Sequence, residues 1–195
     1  MTEDQRFAAR RPDVLVFRTE PLVHDVTVFG PVGVDLKVST TGTDSDFDVK
    51  LIDVYPGDYP DYATPPSQPG APTAQQRRDE PANAIKMGGY QQLVRGEPFR
   101  GKYRKSFEKP VPFEPGKPDR IAFRLPDIAH TFRQGHRIIV QVQSSWFPLT
   151  DRNPQKFMNI PQALGTDFVK ATQRVYRGGE DGSRLELPVL EAGGN

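Results

Sequence analysis

The chain has 195 residues, with 26 Lys+Arg against 25 Asp+Glu, 20 prolines, 17 glycines and no cysteine. That length fits one large domain, able to bury about 70% of its unfolded surface without disulfide or metal staples. Balanced charge gives no footprint of a nucleic-acid binder, and the lack of cysteine excludes disulfides, thiolate metal sites and a cysteine nucleophile. No apolar run approaches the roughly 20 residues of a membrane span.

Residues 1–11 are polar, lack an apolar signal-peptide core and read as a solvated lead-in. "PDVLVFRT" opens the ordered part as a short strand, and "VHDVTVFGPVGVDLKVST" reads as two strands or one bent strand. In the latter, Val34, Leu36 and Val38 alternate with Asp35, Lys37 and Ser39, the period of a half-buried strand. "FDVKLIDVY" predicts a central strand covered on both faces. From 56 to 86 prolines crowd a stretch without apolar periodicity, which predicts a long projecting loop.

Strand signals resume at "GGYQQLVRG", "PFRGKYRKSFEKP" and "PDRIAFRLP", where Ile121, Phe123 and Leu125 share one face. "PDIAHTFRQGH" reads as a connection and "RIIVQVQSSWF" as the strongest strand. "DFVKATQRVYRG" fits a strand or a short helix, "SRLELPVL" closes the domain, and 191–195 form a frayed tail. Short strands separated by Pro/Gly turns predict an all-β sandwich or jelly roll over 12–190.

An α/β-hydrolase serine needs a G-x-S-x-G elbow, and none of the seven serines has both flanking glycines. His24, His130 and His136 carry no motif and read as structural or solvated imidazoles. Asp44, Asp46 and Asp48 are spaced like the start of a calcium loop, but Val49 and Tyr55 stand where that loop requires Gly and Glu. They read instead as a turn leading into a strand, and no metal or cofactor is implied. Arg100, Lys102 and Arg104 alternate along one strand, forming a polar, basic face that is either solvated or available to an acidic partner.

"SSWFPLTDRNP" divides by parity. Trp146 continues the buried face and Phe147 points the other way; Pro148 ends the strand because it has no amide hydrogen. Asp151, Arg152 and Asn153 then form a polar turn.

"GHRIIVQVQSSWFPLTDRNPQ", "VGVDLKVSTTGTDSDFDVKLIDVYP", "GGYQQLVRGEPFRGKYRKSFEKP" and "KATQRVYRG" occur in this order. Together they resemble the C-terminal domain of X-Pro dipeptidyl-peptidases, cocaine-esterase-like hydrolases and α-amino acid ester hydrolases, most closely the last. The resemblance runs from about Pro12 to Gly178, and "EDQRFAARRPDVLVF" looks like the junction that follows the catalytic part. It implies a galactose-binding-like jelly-roll sandwich placed after an α/β-hydrolase domain that carries a Ser-His-Asp triad and a helical cap. No catalytic residue carries over to this chain, and no cofactor is implied.

The expected role is a non-catalytic accessory domain whose partner is the hydrolase domain of the same parent protein, with homo-oligomer contacts and without nucleic acid or membrane. Phe147, Asp151, Arg152 and Asn153 are the candidate docking residues. The alternative is a free-standing carbohydrate-binding module, for which fold analogy alone is a weak warrant. The compartment stays open between cytoplasm and export.

Overall fold

A computed structural model describes residues 4–61 and 86–191 of the chain. The greater part of the proline-rich stretch, read above as a projecting loop, lies outside the described residues. Helix α1 (Arg6–Ala9) is followed by eight strands: β1 (Leu15–Arg18), β2 (Val26–Thr40), β3 (Asp46–Val54), β4 (Gln91–Arg100), β5 (Asp119–Phe132), β6 (Arg137–Gln143), β7 (Gln173–Tyr176) and β8 (Arg184–Glu186). All strand pairs are antiparallel. One sheet runs β1-β6-β3-β4 and the other β5-β2-β7, with β8 also paired to β2. Most successive strands change sheet, which fits the expected β-sandwich.

Alternation builds the core. Val32, Val34, Leu36 and Val38 of β2 face Phe47, Val49 and Leu51 of β3 and Val142 of β6, all within one buried cluster. Side chains at i and i+2 of a strand share a face, so each run places its apolar set between the sheets.

β2 is the single bent strand of the two options, with an irregularity between Gly30 and Val32. Gly30 has φ +118°, a region that L side chains rarely adopt. Opposite it, β5 fits one extra residue, since Gly30 pairs with Ile128 and Val32 with Leu125. Such a bulge flips parity along the bulged strand. Inward positions are therefore Ile121 and Leu125 before it, and Ile128 and Phe132 after it. "PDIAHTF" thus continues β5 and is not a connection; the chain turns only at Gly135, with φ +83°. The two strand signals at 88–110 likewise give one strand, β4, which ends at Arg100, and "QRVY" settles as strand β7.

The lead-in also differs from expectation, because Gln5 and Ala8 are buried. The Gln5 backbone N–H donates to Gln91 O at 2.9 Å, and Asp4 bridges to Gln92, so this segment lies against the edge of β4. Arg6 holds it there, bonding Asp4 and the Gly88 and Lys86 carbonyls. Among the described residues no helix is long and apolar enough to cross a membrane.

Candidate docking surface

β3 is covered on both sides, but only one side is apolar. Asp46, Asp48 and Lys50 point away from the core cluster and are nevertheless buried, with Gln141 and Gln143 of β6 beside them. Two elements cover this layer. From the N-terminal segment, Gln5 Oε1 accepts from Lys50 Nζ at 2.9 Å. From the loop after β6, the Trp146 ring lies 4.2 Å from the same Nζ, within cation–π range. A Cβ at Gly96 would stand 2.5 Å from Trp146 Cη2, so only glycine lets the indole lie flat on β4. Trp146 is thus buried, as its parity predicts, but on the outer face of the sheet. The ladder stops at Gln143, and Ser144–Ser145 carry the chain over to that side.

Burial controls protonation in this layer. It pushes the Asp48 carboxyl up to about 8, assisted by the negative charge of Asp46, and neither Asp48 oxygen has a hydrogen-bond partner among the described residues. Burial pushes Lys50 down to about 8 and Asp46 up to about 6; the Asn153 hydrogen bond and Arg100 hold Asp46 from going higher. A carboxyl with a raised folded pKa stabilises most below its unfolded value near 4, and that contribution is lost as pH rises through the folded value. Stability should therefore fall from about pH 4 to 8, the window set by Asp46 and Asp48, and Asp48→Asn should flatten the decline. Melting temperature against pH tests this; an equally steep decline in the variant would refute it.

The segment 144–172 is the functional candidate. Polar bonds to the β2–β3 turn fix its backbone. Gln155 O accepts from Thr43 N at 3.1 Å, Phe157 N donates to Thr43 Oγ1 at 2.9 Å, and Thr172 N donates to Thr41 Oγ1 at 2.9 Å. Outward it shows Phe147, Leu149, Phe157, Leu164, Phe168 and Val169, all exposed, with Leu164 at 69%. Large apolar side chains exposed along one fixed loop make this segment the candidate docking surface. Arg152 is exposed and stands 5.2 Å from the Phe147 ring, and Asp151 is exposed beside it.

Asn153 is corrected. It is buried, its Nδ2 donates to Asp46 Oδ1 at 2.8 Å and its Oδ1 accepts from Gln155 N at 2.8 Å, so it ties the loop to β3 and offers nothing outward. The basic face is corrected too. β4 ends at Arg100 and Gly101–Tyr103 form a 3-10 turn, so the three cations do not alternate on one strand. Arg100 pairs with Asp46 at 2.9 Å and Lys102 donates to Met158 O at 3.0 Å. Arg104 stacks 3.8 Å from the Phe113 ring and pairs with Asp119 at 2.7 Å. All three are spent inside the domain.

Two of the histidines are structural, through a partner that sequence spacing hides. Asp53 is buried between the sheets, 2.9 Å from His130 Nε2 of β5 and 2.8 Å from His136 Nδ1. One carboxylate thus clamps both sheets. His24 is exposed.

Residues 3–186 match the profile of the X-Pro dipeptidyl-peptidase C-terminal non-catalytic domain. The chain belongs to that family. Cocaine esterase of Rhodococcus sp. (strain MB1 Bresler) is 32% identical over 188 residues, spanning 96% of this chain and 27% of its own length. Among solved structures, an α-amino acid ester hydrolase superposes with TM-score 0.81 at 46% identity, covering 97% of this chain and 27% of that one. An aminopeptidase from a marine sediment archaeon, Thaumarchaeota archaeon, gives TM-score 0.80 at 42% identity, covering 97% and 28%. This C-terminal domain therefore spans about a quarter of the length of the relatives it matches.

Proposed function

We propose that this domain docks against the hydrolase portion of a longer parent protein, buttressing it and its cap, and that the parent cleaves esters or amides. One observation carries the reading: six large apolar side chains stand exposed between Phe147 and Val169, on a loop whose backbone is pinned to β3 and to the β2–β3 turn. Such a surface costs free energy in water and is repaid by burial at about 25 cal/mol per Å². Phe147 with Arg152 is the anchor, since a large aromatic ring paired with a guanidinium has the composition of interface hot spots. Asp151 belongs to the polar rim.

The relatives named above are an esterase, an ester hydrolase and an aminopeptidase, which supports a parent acting on esters or amides. The carbohydrate-binding alternative finds no support among them. In the intact parent, Phe147→Ser combined with Arg152→Ala should weaken docking by about 2 kcal/mol or more. The expected signs are a lower melting temperature and faster proteolysis between the domains. Unchanged melting, proteolysis and activity would refute the assignment.

A further inference from the structure

The sandwich is not closed at the side bounded by β1 and by β7 with β8. Inward-facing Phe17, Val140, Val175 and Leu185 stay partly exposed there, whereas Leu36 and Val142 beneath them are buried. A cavity of about 240 Å³ opens between these residues. A second, of about 260 Å³, continues it past Val142 and Val175 to Leu15 and Ala171. The slot is apolar along its floor and cationic at one mouth. Arg184 there is already paired with Asp35 and Glu186, while Arg177 is exposed and makes no ion pair or side-chain hydrogen bond among the described residues.

Resting on the docking role proposed above, we infer that this slot receives a segment of the parent's hydrolase portion carrying one or two large apolar side chains beside a carboxylate. Three observations select that occupant. Roughly three quarters of each matched relative lies outside the region this chain covers, and the matched family is a C-terminal domain, so a large upstream portion has to find a surface. Pro12, Asp13 and Leu15 line the slot, so the strand that first follows the junction forms one of its walls. At its far end the slot is lined by Ala171 and Thr172, which follow Phe168 and Val169 of the apolar loop within a few residues of chain. A free cation over an apolar slot favours an acidic group next to the inserted side chain.

The test compares the intact parent with the 195-residue chain. Hydrogen exchange at Gln173–Tyr176 should be at least tenfold slower in the intact parent. Val175→Trp, which fills the slot, should leave the melting temperature of the 195-residue chain unchanged or raised but lower that of the parent, and Arg177→Glu should lower only the parent's. Equal exchange in the two proteins, or an equal loss in both from Val175→Trp, overturns the inference. So does sodium decanoate raising the melting temperature of parent and chain alike, because an amphiphile then finds the slot empty in both. Neither variant touches Phe147 or Arg152. If the Phe147/Arg152 variant loosens the parent while the slot variants do not, the docking role stands and this inference alone fails.

Discussion

Trp146→Ala is expected to destabilise the domain by about 3–5 kcal/mol, the range for emptying a buried large aromatic site. The indole is buried on Gly96 and across Lys50, and Gly96 has no side chain to move into its place. The loss extends beyond volume. Lys50 would give up its cation–π partner at 4.2 Å and keep only Gln5 as its ligand, in a layer where burial already disfavours its charge. The loop would also lose its first anchor, so the apolar surface from Phe147 onward would be held less firmly. In the intact parent the variant should therefore reproduce the docking defect as well as the stability loss. Chemical denaturation reads the first effect and interdomain proteolysis the second. Trp146→Phe, which keeps a ring on Gly96, should recover part of both. A loss below about 1 kcal/mol for the alanine variant would contradict the assigned position of the indole.

Asp53→Ala should cost about 2–5 kcal/mol, because it strips the partner from two imidazoles at once. His136 is buried, with its ring centroid 4.7 Å from that of Tyr55, and His130 stands 4.7 Å from the Phe132 ring in the same way. Neither can turn to water without breaking those contacts. Asp53 of β3 and His130 of β5 belong to opposite sheets and His136 sits in the β5–β6 turn, so the damage falls on the end of the sandwich where β5 meets β3 and β6. Asp53→Asn is expected to cost clearly less. A histidine can present either a donor or an acceptor nitrogen by changing tautomer, and the amide supplies one of each. Equal losses for the two variants, measured by urea denaturation, would show that the carboxylate's charge matters more than its two hydrogen bonds.

The legibility of the sequence depended on the range of the interaction. β2 and β6 were readable because a strand between two sheets must alternate, and Val34-Leu36-Val38 and Ile138-Val140-Val142 do. β5 was readable only up to Leu125. The extra residue beyond it shifts the alternation by one, so a continuous strand looks like a strand followed by a loop. The burial of β3 on both faces was legible too. What covered the second face was not, since Gln5, Trp146 and Asn153 lie 45, 96 and 107 positions from their partners Lys50, Lys50 and Asp46.

Candidate site residues followed the same rule. The exposure of Phe147 and Arg152 was legible because parity and turn chemistry are local. Asn153 was misplaced outward because one step of sequence separates an exposed turn residue from a buried one, and only the Asp46 oxygen decides between them. Arg100, Lys102 and Arg104 looked like a face because a strand was assumed to continue through Gly101. A Cβ there would stand 2.6 Å from the Ser45 carbonyl oxygen, a close approach that marks the change to a 3-10 turn.

By itself the sequence determined an all-β sandwich, the absence of thiol chemistry, and membership of a hydrolase-associated C-terminal family, because composition, period-2 alternation and ordered motif blocks survive without coordinates. Tertiary structure alone decided the buried Asp48–Lys50 layer, the Asp53 clamp between the sheets, and the apolar slot shared by Phe17, Val140, Val175 and Leu185. Each of these depends on residues far apart in the chain meeting at a distance of a few ångströms, and no local pattern records such a meeting.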